Sequence, residues 1–253
     1  MFEWHDFFLN ESIYFIAISV CIAGLIRGFA GFGAAMAMIP LLSLAIGPEK
    51  AVLLVSCIEI IGSVQLLPEA IKNTSFFHLK LLSLSAIISV PIGVYILTIL
   101  EPEIIITLMS IVVLSFVLAM FLGWKNQNGY TSNGMLIAGG ISGFLAGSTG
   151  MAGPPIILYM ISPEKLNPNV ARGTLITYFA ITGIATFLFL LYMGKNPLST
   201  IGAYIIILTP LFLISTYFGT LFFQKSGLKH YKKVALILLS IISIYTLVKS
   251  YIV

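Results

Sequence analysis

Gly139-Gly-Ile-Ser-Gly-Phe-Leu-Ala-Gly-Ser-Thr-Gly-Met-Ala-Gly-Pro-Pro-Ile-Ile-Leu-Tyr159 lies inside a long apolar run, where one smooth helix would ordinarily pass. Its composition opposes that. Glycine costs a helix about 1 kcal/mol and interior proline about 3. Residues Ile137 to Ile161 are therefore predicted to form a half-helix to about Leu145 and a break over Ala146 to Gly150. A second half-helix follows, with Pro154 and Pro155 in its first turn, where proline is tolerated. Irregular backbone at membrane depth persists only where protein or a cavity satisfies it. The break is thus a candidate functional site.

The same device occurs earlier in the chain. Gly24-Leu-Ile-Arg-Gly-Phe-Ala-Gly-Phe-Gly33 precedes a short apolar run to Pro40. Both copies carry Gly-Phe (Gly28-Phe29 and Gly143-Phe144), then more glycine, then proline. Pro48 with Ala51, and Pro168 with Ala171, open the next apolar segment in each half. The offset is about 120 residues, near half of the 253-residue chain. An internal duplication of this kind is the usual build of secondary transporters.

Composition fixes the class. Hydrophobic residues make up 59% of the chain and charged residues 9%, against about 25% charged in ordinary soluble domains. Several runs are long enough to cross a bilayer, which indicates an all-α polytopic membrane protein. The net charge of +4 comes from basic residues between apolar segments, so it does not point to nucleic acid. Met1 to Glu11 holds Glu3, Asp6 and Glu11 without Lys or Arg, unlike the basic start of a signal peptide. Cys21 and Cys57 lie within apolar runs and read as packing residues. No residue pattern calls for a metal, nucleotide or other cofactor.

Ser12 to Gly47 is too long for one span: about 36 residues at 1.5 Å each is roughly 54 Å. It is predicted as a hairpin of two short helices. Ordinary spans follow at Ala51–Leu67, Leu79–Leu100 and Ile104–Leu122. Trp124 to Tyr130 is polar and turn-rich, and it separates a first repeat, residues 1–128, from a second, 129–253. The broken segment Gly134–Ile161 is then followed by Ala171–Met193, Ser199–Phe223 and Tyr231–Ile252.

Loop charge favours re-entrant hairpins over full crossings. If each broken segment enters and leaves on one side, Lys72, Lys80, Lys125, Lys165, Arg172, Lys225, Lys229, Lys232 and Lys233 share a face. Lys50, Lys195 and Lys249 occupy the other, a split of nine to three with Arg27 set aside as intramembrane. Full crossings reduce the split to seven against five. The positive-inside rule thus makes the basic face cytoplasmic and puts both termini outside. A hairpin plus three spans is an odd number of crossings, so the second repeat is inverted and the two tips can meet near the midplane.

The tips carry the chemistry of anion binding. Helix N-termini offer free N–H groups and partial positive charge. Glycines at 28, 31, 33, 147, 150 and 153 let a ligand approach backbone, beside Pro154. Ser148 and Thr149 either donate to the ligand or satisfy their own freed backbone. Arg27, about 21 Å along its segment, either faces a cavity or neutralises an acid such as Glu59. Glu59 and Gln65 lie in the following span, where Glu59 is a candidate proton carrier and Phe179 its repeat-mate. Arg172 and Tyr178 are candidate gating residues, with Arg172 equally readable as an interfacial cation.

These two motifs, together with Ala171-Arg172, resemble the TauE/SafE (TSUP) family of sulfite and organosulfonate exporters over nearly the whole chain. The resemblance implies export of a small sulfur-containing anion across a prokaryotic inner membrane, driven by ion gradients. Sulfite, thiosulfate, sulfoacetate and taurine-derived sulfonates all stay open as cargo. Two rivals remain. A passive anion channel would use the same site chemistry. An intramembrane serine protease would need a base beside Ser148, and His5, His78 and His230 all fall in predicted termini or loops.

Overall fold

Apolar runs bounded by proline, glycine and polar turns become helices. The computed structural model describes residues 11–30, 33–64, 67–124, 126, 129–160, 167–194, 198–226 and 228–250. Gly31 and Gln65 lie outside the described residues. The first half contains α1 (Glu11–Ala30), α2 (Ala34–Ile46), α3 (Pro48–Val64), α4 (Leu67–Lys72), α5 (Phe76–Ile99) and α6 (Pro102–Phe121). The second contains α7 (Ser132–Thr149), α8 (Gly153–Met160), α9 (Pro168–Met193), α10 (Gly202–Ser226) and α11 (Leu228–Ser250), with a 3₁₀ turn at Leu198–Thr200. No strand occurs among the described residues.

Among the described residues, four helices are long and apolar enough to cross a membrane by themselves: α5, α6, α9 and the Gly202–Leu221 part of α10. The sequence reading gave six full spans. Of the other two, α3 has 17 residues, about 26 Å at 1.5 Å each, and contains Glu59. The apolar part of α11 is Leu236–Ser250, behind a basic first third.

Contacts along each helix pair fix the directions. Gly139 of α7 sits on Leu82, Gly143 on Ala86 and Gly147 on Val90, so α5 and α7 run parallel. Gly24 of α1 sits on Phe212 and Ser215, and Gly28 on Thr216 and Thr220, so α1 and α10 also run parallel. Helix α9 runs against α3: Gly194 meets Glu49, Gly183 meets Ile60, and Gly173 meets Ala70 and Asn73 just beyond α3. Helices α6 and α11 are antiparallel, through Ser110–Thr246 at 2.9 Å and Thr107–Ser250 at 3.5 Å.

From these directions both broken segments are hairpins. In the second, the Tyr130 hydroxyl donates to the Met160 carbonyl at 3.1 Å. The Tyr159 hydroxyl accepts from the Thr131 amide and donates to its carbonyl. The chain therefore leaves where it entered, on the Asn73 face. In the first, α1 starts on the opposite face because it parallels α10, which begins just after Gly194. Helix α2 ends on that same face, since Pro48 and Glu49 follow directly and Glu49 meets Gly194. The two hairpins enter from opposite faces, as inverted repeats require. Thiol labelling checks this: Asn73→Cys and Ser132→Cys are expected to react from one side, and Glu101→Cys and Leu198→Cys from the other. Labelling of all four from one side would remove the inversion.

One boundary differs from the sequence reading. Helix α7 does not stop near Leu145 but continues to Thr149, and the break is confined to Gly150–Ala152. The helical cost of Gly147 is offset by close packing, because its missing Cβ admits the α5 backbone near Gly93 and Val94.

Candidate functional site

The hairpin tips meet. Gly33 caps α2 with φ 93°, and Gly150 caps α7 with φ 70°, both in the left-handed region that favours glycine. Gly150 rests on Ile39 of α2 and Val52 of α3, and Gly153 faces Met36. Between the tips lies a cavity of about 70 Å³, walled by α2, α3, α8 and α9. A single water needs only about 10–15 Å³, so there is room for several waters or a small anion.

Arg27, from the last turn of α1, and Glu59, from α3, are the charged residues among the described lining. Arg27 Nη1 is 3.4 Å from Glu59 Oε1, and Nη2 donates to Ser63 Oγ at 3.1 Å. The guanidinium also lies 5.5 Å from the centroid of the Phe212 ring, within cation–π range. A close guanidinium–carboxylate pair is about 2.7–2.9 Å and often bidentate. Here there is one long contact, and guanidinium has five N–H donors. Both readings of Arg27 therefore describe the same atom group: it faces the cavity and it pairs with Glu59. Ala35, at the N-terminus of α2, lines the cavity beside the Glu59 carboxylate. The first tip thus already holds an anion of the protein's own.

The second tip has fewer donors than a helix start usually has. Two residues of the first turn of α8 are Pro154 and Pro155, which carry no N–H. The Gly150 and Met151 amides bond to Ala146 and Leu145 carbonyls. The Ala152 and Gly153 amides remain, and both residues line the cavity. Thr186 of α9 also lines the cavity, and its buried hydroxyl has no hydrogen-bond partner among the described residues.

Several sequence-predicted residues lie elsewhere. Ser148 and Thr149 donate to the Phe144 and Leu145 carbonyls of their own helix, at 2.9 and 2.7 Å, and neither lines the cavity. They satisfy backbone, the second of the two alternatives. Gly147 packs on α5 and Gly28 on α10, again away from the cavity. Pro154 is buried beside the lining. Arg172 is exposed in the first turns of α9, on the Asn73 face. Tyr178 is fully buried and donates to Ser142 Oγ at 2.8 Å. His78 is in the first turn of α5 rather than a loop, and it bonds Ser75.

Ser142 and Thr186 were not foreseen. Ser142 donates to the Ala152 carbonyl at 2.5 Å and so pins the break to the middle of α7. Aligning Gly28-Phe29 with Gly143-Phe144 sets Ser142 against Arg27, and aligning Pro48 with Pro168 sets Tyr178–Phe179 against Ile58–Glu59. Each outer half-helix is thus tied to the next helix by a polar contact, charged and cavity-lining in one half, neutral and sealed in the other. Only depth distinguishes these hydroxyls from the many other Ser and Thr of the chain, and depth is not legible in one sequence.

A family model described as Sulfite exporter TauE/SafE matches residues 16–246. No curated protein and no solved structure matches the chain.

Proposed function

The chain belongs to the sulfite exporter TauE/SafE family, a family of membrane transporters, and from that membership we propose that it carries a small sulfur-containing anion, as sulfite, a sulfonate or thiosulfate. The anion is held in the cavity between the hairpin tips. Arg27 supplies the charge, and the Ala152 and Gly153 amides and the Thr186 hydroxyl supply neutral donors. The observation that carries this reading is that Thr186, whose buried hydroxyl has no hydrogen-bond partner among the described residues, lines the same cavity as Arg27. A buried hydroxyl without a partner costs about 1–3 kcal/mol, which a ligand oxygen would recover.

Few donors suit a carrier, which must release its cargo. Alternating access follows from inverted repeats that present two tips to one site. The surplus of basic residues on the Asn73 face supports a cytoplasmic assignment for it, in a prokaryotic inner membrane with both termini outside.

Purified protein is to be titrated with sulfite, thiosulfate, sulfoacetate, isethionate and taurine. At least one of the four anions is expected to bind more tightly than zwitterionic taurine. If none does, the anion reading fails. Accumulation of the bound anion in vesicles against its gradient separates the carrier from a passive channel.

A further inference from the structure

Among the described residues the cavity lining carries no net charge, because its cation already has an acid beside it. Arg27 and Glu59 are the charged groups of the described lining, 3.4 Å apart through a single contact. An anion that binds Arg27 would sit within a few ångströms of the Glu59 carboxylate, in a site walled mainly by apolar side chains. Two like charges at that range oppose each other unless one is neutralised. Arginine stays protonated at all accessible pH, so it cannot adjust.

Among the described residues, the neighbouring elements supply no other group that could. Helix α2 contributes Ala35 and Met36, and α3 contributes Ser56 and Ser63. From α8 come Gly153 and Ile157, and from α9 Phe179, Thr182 and Thr186. Helix α10 contributes Phe212, over the guanidinium. None of these titrates. The repeat-mate of Glu59 is Phe179, which lines the same cavity, so the second half offers no second acid there.

We propose that Glu59 is the proton site of the carrier, and that each monovalent anion binding at Arg27 brings one proton onto Glu59. This deepens the function proposed above and rests on it. A proton from water on the loading side adds to a Glu59 oxygen, which releases Arg27 from the ion pair. The guanidinium then pairs with the cargo, and the loaded site carries the same net charge as the empty one. On the other side the anion leaves, Glu59 loses its proton to water, and the 3.4 Å pair re-forms. Anion and proton travel in the same direction. Export therefore runs on the outward gradient of the accumulated anion and takes a proton out with it.

Proteoliposomes loaded in turn with sulfite, thiosulfate, sulfoacetate and isethionate, together with a pH-sensitive dye, test this. Anion efflux is measured by mass spectrometry and lumenal pH by the dye. For isethionate, whose sulfonate stays ionised throughout, wild type is expected to lose one proton per anion. Glu59→Asp is expected to keep that ratio, and Glu59→Gln to bring it near zero. In binding, the wild-type Kd is expected to rise about tenfold per pH unit on the alkaline side, and to be flat for Glu59→Gln, by linkage. Anion flux without proton movement in wild type, or one proton per anion in Glu59→Gln, overturns the proton site and leaves anion transport standing. No flux of any of the four anions in wild type overturns both.

Discussion

Gly143→Ala is expected to destabilise the protein strongly, while Gly140→Ala, on the same helix, is expected to be neutral or stabilising. A Cβ at Gly143 would stand 2.5 Å from the Ala86 Cα and 2.7 Å from its carbonyl carbon. These are backbone atoms of α5, so no rotamer change relieves the clash and the two helices must separate. Separation also loosens the Gly139, Gly147 and Gly93 contacts of the same seam. Overpacking of a tight core costs about 1–3 kcal/mol, which at this size shifts melting by roughly 2–4 °C per kcal/mol. At Gly140 the added Cβ meets Ser89 Oγ at 3.6 Å, an ordinary contact. Removing a helical glycine there gains up to about 1 kcal/mol. Thermal unfolding in detergent measures both. Equal melting of the two variants would mean that α7 does not lie against α5 at this distance.

Arg27→Ala is expected to abolish useful transport, and Arg27→Lys to impair it less. A hydrogen bond to a charged group contributes about 1.5–3 kcal/mol, so losing one weakens anion binding roughly 10- to 100-fold. The alanine variant also strands Glu59, in a part-buried pair, without its counter-charge, which is destabilising. Monodisperse elution and a melting curve must therefore accompany the flux assay. Lysine keeps the charge but not the planar fork that can hold a carboxylate and a tetrahedral oxyanion together. Wild-type transport by a well-folded Arg27→Ala would take Arg27 out of the site.

Much of this was legible in the sequence because glycine and proline at membrane depth are expensive. Their positions at Gly24–Gly33 and Gly139–Pro155 located both hairpins, and the odd number of crossings gave the inversion. Arg27, Gly33, Glu59, Gly150 and Gly153 do line one cavity. What misled was that glycine has two uses. Gly139, Gly143 and Gly147, spaced by four, form a contact ridge within an intact helix. Read as helix breakers, they put the break too early and made Ser148 and Thr149 look free. A hydroxyl on a helix can bond the carbonyl four residues back, and these two do. The partner of such a ridge is invisible in one sequence, so the pairing of α7 with α5 could not be read there.

That pairing crosses the midpoint of the chain in both directions, and it imposes an order on biogenesis. Helix α7 finds α5 about 55 residues upstream, already made when it emerges. Helix α1 has to wait for α10: the Thr220 hydroxyl bonds the Gly28 carbonyl across 192 residues. At roughly 5–20 residues per second of synthesis, that wait is about 10–40 s. Through it the narrow groove of Gly24 and Gly28 stands uncovered in the newly inserted chain, open to lipid or to an insertion chaperone. The first hairpin, made well before α10, waits longest to be clasped.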